Sequence, residues 1–182
     1  VQIQGDSFIA TAFDNDSNGL ALASLPDGRV AWPISHWDRI WNVFLKLRDV
    51  VPSVSKAMGM NVDLNSPLLS LNISAEPVIN AFATRDGNAI QINLALSELI
   101  SDSPSELAFA IGHELGHIVL TRSGNPQSEV VADQLGMIFS LAAGFDPYAG
   151  AGALAKLAMA SGTAGLLQAF FDDLTDPHAS FN

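Results

Sequence analysis

Residues 109–119 read FAIGHELGHIV, with uncharged residues on both sides of two histidines and a glutamate. His113 and His117 are four positions apart, so on a helix their imidazoles leave one face, one turn from each other, and can share a metal ion. Two neutral imidazoles suit zinc, and a carboxylate beside the metal, here Glu114, can take a proton from activated water and hand it to a leaving amine. His and Glu also meet by accident on partly buried helices. Two histidines on a core-facing stripe without a metal would then need other partners.

The flanking signals frame this helix. Ser103, Pro104 and Glu106 form a capping box with proline at the first helical position, which predicts a helix from about Pro104 to about Thr121, stopped at TRSGN. Asn125–Pro126 predicts a restart that runs to about Ala143 and ends at Gly144. Asp146–Pro147 opens another helix, and Asp176–Pro177 repeats the signature near the end of the chain. A metzincin would place its third ligand at Ser123 and a glycine at Leu120, so that subclass is excluded. The restarted helix instead carries SEVVADQLG, in which Glu129 and Asp133 share a face. Glu129 lies twelve positions after His117, which allows a helix end, a turn and an antiparallel return. Glu129 can then complete a His–His–Glu set with one open position for water. Asp133 is placed to accept a hydrogen bond from a ligand histidine and fix its tautomer, the alternative being a solvated face charge.

Upstream the periodicity changes. From Phe8 to Ile34 short apolar runs (FIATAF, LALASL, RVAWPI) alternate with turn signals (DNDSNG, PDG), which predicts a β-meander. Trp37, Ile40, Trp41, Phe44 and Leu45 then fall on one helical face, with Ser35 as N-cap and a stop near Pro52. Between Leu68 and Asn93, LLSLNIS, VINAFAT, a turn at RDGN and AIQIN predict strands joined by at least one tight hairpin. The expected fold class is α+β: a helical metal-binding core, a small sheet bordering the cleft and an N-terminal β portion. Residues 1–34 form that β portion and 35–182 the zinc-binding domain, or the whole of 1–182 is one domain.

Composition narrows the function classes. Eight Lys and Arg against nineteen Asp and Glu leave a net charge of −11 in 182 residues, which repels phosphate backbones and argues against a nucleic-acid partner. With no cysteine, any metal must be held by His and carboxylate. The first residue is Val and no basic-then-apolar leader precedes the domain, so a trimmed N-terminus is expected. No transmembrane segment is expected. The stretch from Ala149 to Leu167 carries only Lys156 as a charge, and its small residues suit close helix packing. In DNDSNG, Asp14, Asp16 and Asn18 have the spacing of calcium ligands, but Leu25 stands where an EF-hand needs Glu. An Asx-rich hairpin turn is the other reading.

HELGH, then EVVADQLG, then AAGFDPYAG, preceded by EPVINAFATRDGNAIQIN, resemble in order the zinc metallopeptidase family that includes the CAAX-prenyl endopeptidases and the heat-shock protease HtpX, within the gluzincin group. The resemblance runs from about Pro77 to about Ala149 and loosely to His178. It implies His113, His117 and Glu129 as zinc ligands, Glu114 as general base and Asp133 as the residue behind a ligand. It also implies that Asn80, Ala81, Phe82 and Ala83 border the cleft, where an extended peptide can add to a strand edge. Family members usually carry a longer segment between the two metal-binding helices, and many carry transmembrane helices. TDPHAS resembles the family's His-Pro tail motif, with Ala179 where proline is usual. It offers His178 as a group that stabilises the oxyanion, as a residue that caps zinc's open position, or as a plain surface histidine. The expected activity is zinc-dependent hydrolysis of protein or peptide substrates, with a periplasmic or envelope location. The competing expectation is a non-catalytic or latent zinc module that holds extended segments in a chaperone-like manner.

Overall fold

A computed structural model of the chain describes residues 2–4, 7–11, 34–74, 78–100 and 102–161. Five strands and five helices are present there: β1 (Gln2–Gln4), β2 (Ser7–Thr11), α1 (Ile34–Ala57), β3 (Ser70–Ser74), β4 (Ala81–Ala83), β5 (Ala89–Asn93), α2 (Leu94–Ile100), α3 (Pro104–Ser123), α4 (Glu129–Ala142) and α5 (Ala149–Ser161). The fold is α+β. LALASL, RVAWPI up to Pro33, the DNDSNG loop with Asp14, Asp16 and Asn18, and the tail with His178 lie outside the described residues; Ile34, expected to end a strand, opens α1 instead.

The strands form one mixed sheet in the order β1-β2-β3-β5-β4. β3 and β5 are parallel, with Leu71 opposite Ile90 and Ile73 opposite Ile92; the other pairings are antiparallel. Ala89, Ile90, Ile92 and Asn93 are all buried, as expected of a strand covered on both faces. The RDGN turn closes the β4–β5 hairpin, with Thr84 N–H donating to Ala89 O at 2.8 Å and Gly87 supplying φ of +69°.

α3 is the central element and packs against α1, α4, α5 and β4. Leu107, Ile111, Leu115, Ile118 and Leu120 are buried on it, and so are Ala108, Gly112, Gly116 and Val119. A helix apolar nearly all round must be covered on every side. α1 covers one side with Ile40, Phe44, Leu47 and Val51. α1 begins at Ile34, so Ser35 lies inside it rather than capping it, and it passes through Pro52 to Ala57 instead of stopping there. Proline removes one helical hydrogen bond, but Val51 and Ser55 are fully buried and Val54 packs on the core, so tertiary burial carries the helix past it.

α3 starts as its capping box predicts: Ser103 accepts from Glu106 N–H and Pro104 occupies the first turn. It ends at Gly124 (φ +72°), whose N–H donates to Leu120 O and Thr121 O. α4 begins at Glu129, later than Asn125–Pro126 suggests, because Ser128 is the residue that caps it. The two helices then run with their backbones touching. A Cβ at Gly112 would lie 2.9 Å from Gly136 O, one at Gly116 2.9 Å from Ala132 Cα, and one at Gly136 2.8 Å from His113 N. α5 also meets α3 closely at Gly150, where a Cβ would lie 2.6 Å from the Phe109 ring, a side chain rather than backbone. Lys156, the sole charge of that stretch, pairs with Glu106 at 2.6 Å.

Candidate metal centre

The glycine contacts between α3 and α4 decide the site, because they bring the start of α4 to the histidine face of α3. His113 Nε2 and His117 Nε2 are 3.1 Å apart. Glu129 Oε2 stands 3.4 Å from the first and 3.5 Å from the second. A tetrahedral zinc with ligands at its usual distances has ligand–ligand edges of about 3.3–3.6 Å; both separations from Glu129 fall in that range and the one between the imidazoles is slightly shorter, so the three atoms are grouped as three vertices of one such shell are. Among the described residues this is the one group of three or more His, Asp or Glu side chains arranged to hold a metal ion.

The hydrogen bonds behind the rings support the fit. Asp133 Oδ1 lies 2.7 Å from His113 Nδ1; an ionised carboxylate only accepts, so Nδ1–H donates and, in the neutral ring that a metal requires, Nε2 is left as a lone pair. His117 Nδ1 lies 2.7 Å from Gln127 Oε1. With both Nδ1 atoms donating, two lone pairs and a carboxylate oxygen face one another. A proton can bridge one pair of these atoms but not all three; a divalent cation satisfies them together. Glu129 is 77% exposed while the His113 and His117 side chains are 20% and 16% exposed, so the donor set opens to solvent on the Glu129 side.

Glu114 projects from α3 between this set and the sheet. It is only 7% exposed, and its Oε2 accepts a 2.7 Å hydrogen bond from Ala83 N–H on β4. Burial pushes its carboxyl above the usual carboxylate range; His113, His117 and the Ala83 bond oppose this, and Glu129 adds to it. For His113, burial is the largest influence and pulls downward, but the Asp133 hydrogen bond and the charges of Glu114, Asp133 and Glu129 outweigh it and leave its pKa raised. A second tie joins α3 to the turn of the β4–β5 hairpin: Arg122 Nε donates to Gly87 O at 2.8 Å, and the same guanidinium donates to Asp63 O in the segment before β3.

A cavity of about 790 Å³ runs between β4 and the helices. Asn80, Ala81, Phe82 and Ala83 line it together with His113, Glu114, His117, Glu129 and Asp133. Phe82 is 39% exposed, which sets it apart from a core strand residue. The end towards α5 is apolar, formed by Ile79, Leu96, Phe109 and Leu157, and the other end carries Arg85, Thr121 and Gln127. Gln127 was not singled out by sequence reasoning: it sits in the short turn before Ser128, where a polar residue carries no signal of its own. His178 and the calcium-like Asp14, Asp16 and Asn18 cannot be placed relative to the site, because they lie outside the described residues. Among the described residues no helix is long and apolar enough to cross a membrane.

No curated protein matches this sequence. The family model of Peptidase family M48 matches residues 45–174, a span that takes in α3, α4, the cleft-bordering hairpin and the whole donor set, and the chain therefore belongs to that peptidase family.

Proposed function

We propose that this protein is a zinc-dependent endopeptidase acting on extended segments of proteins or peptides. The observation that carries the reading is the placement of Glu114, buried beside the three-donor set and facing the same cleft as the β4 edge. His113, His117 and Glu129 would hold the zinc, and zinc bound there would supply Lewis acidity for a peptide carbonyl and a lowered pKa for water.

The chain's own groups then divide the work. Glu114 takes a proton from the attacking water and delivers it to the leaving nitrogen; burial, which raises its proton affinity, suits it to hold that proton in between. Asp133 accepts from His113 Nδ1–H and keeps that ring aimed at the metal position. On β4, Asn80 O accepts from Asn93 N–H and Thr84 N–H donates to Ala89 O, both towards β5. The alternate residues Ala81 and Ala83 therefore turn their main-chain groups away from β5, towards the cleft. An extended substrate adds along that edge. His178 is assigned to the oxyanion from the tail motif alone; unchanged activity in His178→Ala would remove the assignment. A periplasmic or envelope location is proposed from the acidic, cysteine-free composition taken together with the resemblance to envelope proteases.

Glu114→Gln tests the mechanism. It should retain zinc and lose about 10²–10⁴-fold in peptide hydrolysis, the usual worth of a general base. A Glu114→Gln protein that cleaves at the parent rate would refute the role. A parent protein that binds zinc but shows no chelator-sensitive cleavage of any peptide library would favour the non-catalytic zinc module.

A further inference from the structure

We infer that Gln127 is a positioning residue for the metal, the counterpart on His117 of what Asp133 is on His113. The inference rests on His113, His117 and Glu129 being metal donors. It is carried by three contacts of one side chain: Gln127 Oε1 lies 2.7 Å from His117 Nδ1, and Nε2 lies 2.9 Å from Thr121 Oγ1 and 3.4 Å from the backbone carbonyl of His117.

These contacts determine which way the amide faces. A backbone carbonyl only accepts, so the group pointing at His117 O must be the NH₂, and Thr121 Oγ1 can accept from the same nitrogen. Oε1 is left facing the imidazole. An amide oxygen only accepts, so His117 Nδ1 carries the proton and Nε2 presents its lone pair to the donor set. Without Gln127 the Nδ1 proton loses this partner, and both the tautomer and the ring rotation lose a restraint.

The local chain explains why Gln127 can do this. Gly124 ends α3 in the left-handed conformation, and only four residues separate it from Glu129. The turn therefore folds straight back over the last turn of α3, and Gln127 reaches His117 and Thr121 from two residues before the third donor. One side chain thus braces a ligand histidine from the turn that leads to the ligand glutamate. The two histidines differ in what stands behind them: a carboxylate oxygen for His113 and an amide oxygen for His117.

The test is zinc affinity by competition with a chromogenic chelator, in the parent, Gln127→Leu and Gln127→Glu, together with thermal unfolding of each zinc-stripped protein. Gln127→Leu should bind zinc about 10–100-fold more weakly, the usual effect of removing a group behind a ligand. Gln127→Glu, which keeps an acceptor in place, should recover most of the loss. Unfolding of the stripped proteins should be nearly unchanged, since the side chain is exposed, and cobalt-loaded Gln127→Leu should show an altered ligand-field spectrum. Parent-like zinc affinity in Gln127→Leu would overturn the inference. So would an affinity loss that Gln127→Glu does not recover and that is matched by an unfolding loss in the stripped protein, because that pattern marks a merely structural residue. A parent that binds no zinc would refute the donor set itself, a different result from either.

Discussion

Gly136→Ala is the sharpest test of how the site is built. A Cβ at Gly136 would lie 2.8 Å from His113 N and 3.1 Å from Gly112 C and His113 Cα, where ordinary contact begins at 3.4 Å. Every one of these atoms is backbone, so no rotamer change relieves the overlap and α4 must move away from α3, by about 0.6 Å to reach ordinary contact. Overpacking of this kind costs typically 1–3 kcal/mol, and contact with rigid backbone argues for the upper half of that range. Against it, alanine gains about 1 kcal/mol over glycine in a helix. The net expectation is a loss of about 1–2 kcal/mol, which for a chain of this size lowers the unfolding midpoint by roughly 2–8 °C. The shift also carries Glu129 away from the two imidazoles, whose 3.4 and 3.5 Å spacings already fill the range of a tetrahedral edge, so zinc affinity falls as well. Circular dichroism melts of the zinc-stripped protein and chelator competition measure the two effects separately. If the helices relax without strain, helix propensity alone acts and Gly136→Ala is more stable than the parent. A raised midpoint with unchanged zinc affinity would refute the close-contact account.

Three further outcomes are expected. Removing metal with 1,10-phenanthroline should abolish hydrolysis and lower the unfolding midpoint, with both restored by zinc; at a hundredfold excess over Kd the bound ion stabilises by about 2.7 kcal/mol, and a melt indifferent to chelator would contradict the site. Arg122→Met removes the charged donor to Gly87 O and Asp63 O and should cost about 1.5–3 kcal/mol; it should also raise KM for peptides with little change in zinc affinity, as titration and steady-state kinetics would show. Phe139→Ala empties a fully buried position on α4 and should cost about 3–5 kcal/mol, read by urea denaturation; a loss under 1 kcal/mol would mean that α4 is not packed as described.

Local chemistry made much of this protein legible from its residues. The spacing of His113 and His117, and of Glu129 and Asp133, assigns each pair to one helical face without further context, because 3.6 residues per turn leave no other choice. Ser103, Pro104, Gly124 and the RDGN turn act on their own backbone neighbours, so the limits of α3 and the β4–β5 hairpin could be read directly. α1 was harder: Pro52 argues locally for a stop, and only the burial of Val51 and Ser55 against the rest of the core overrides it. The start of α4 likewise depended on which polar residue of the turn took the cap. Tertiary structure alone decided how close the ligands come. The approach of α4 to α3 rests on Gly112, Gly116, Ala132 and Gly136 meeting backbone to backbone, a property of two surfaces rather than of either segment. The bonds of Gln127 to His117 and of Ala83 to Glu114 follow from that approach and from the seating of β4. Sequence periodicity names the face a side chain occupies; the distance between two faces is set by the packing of everything behind them.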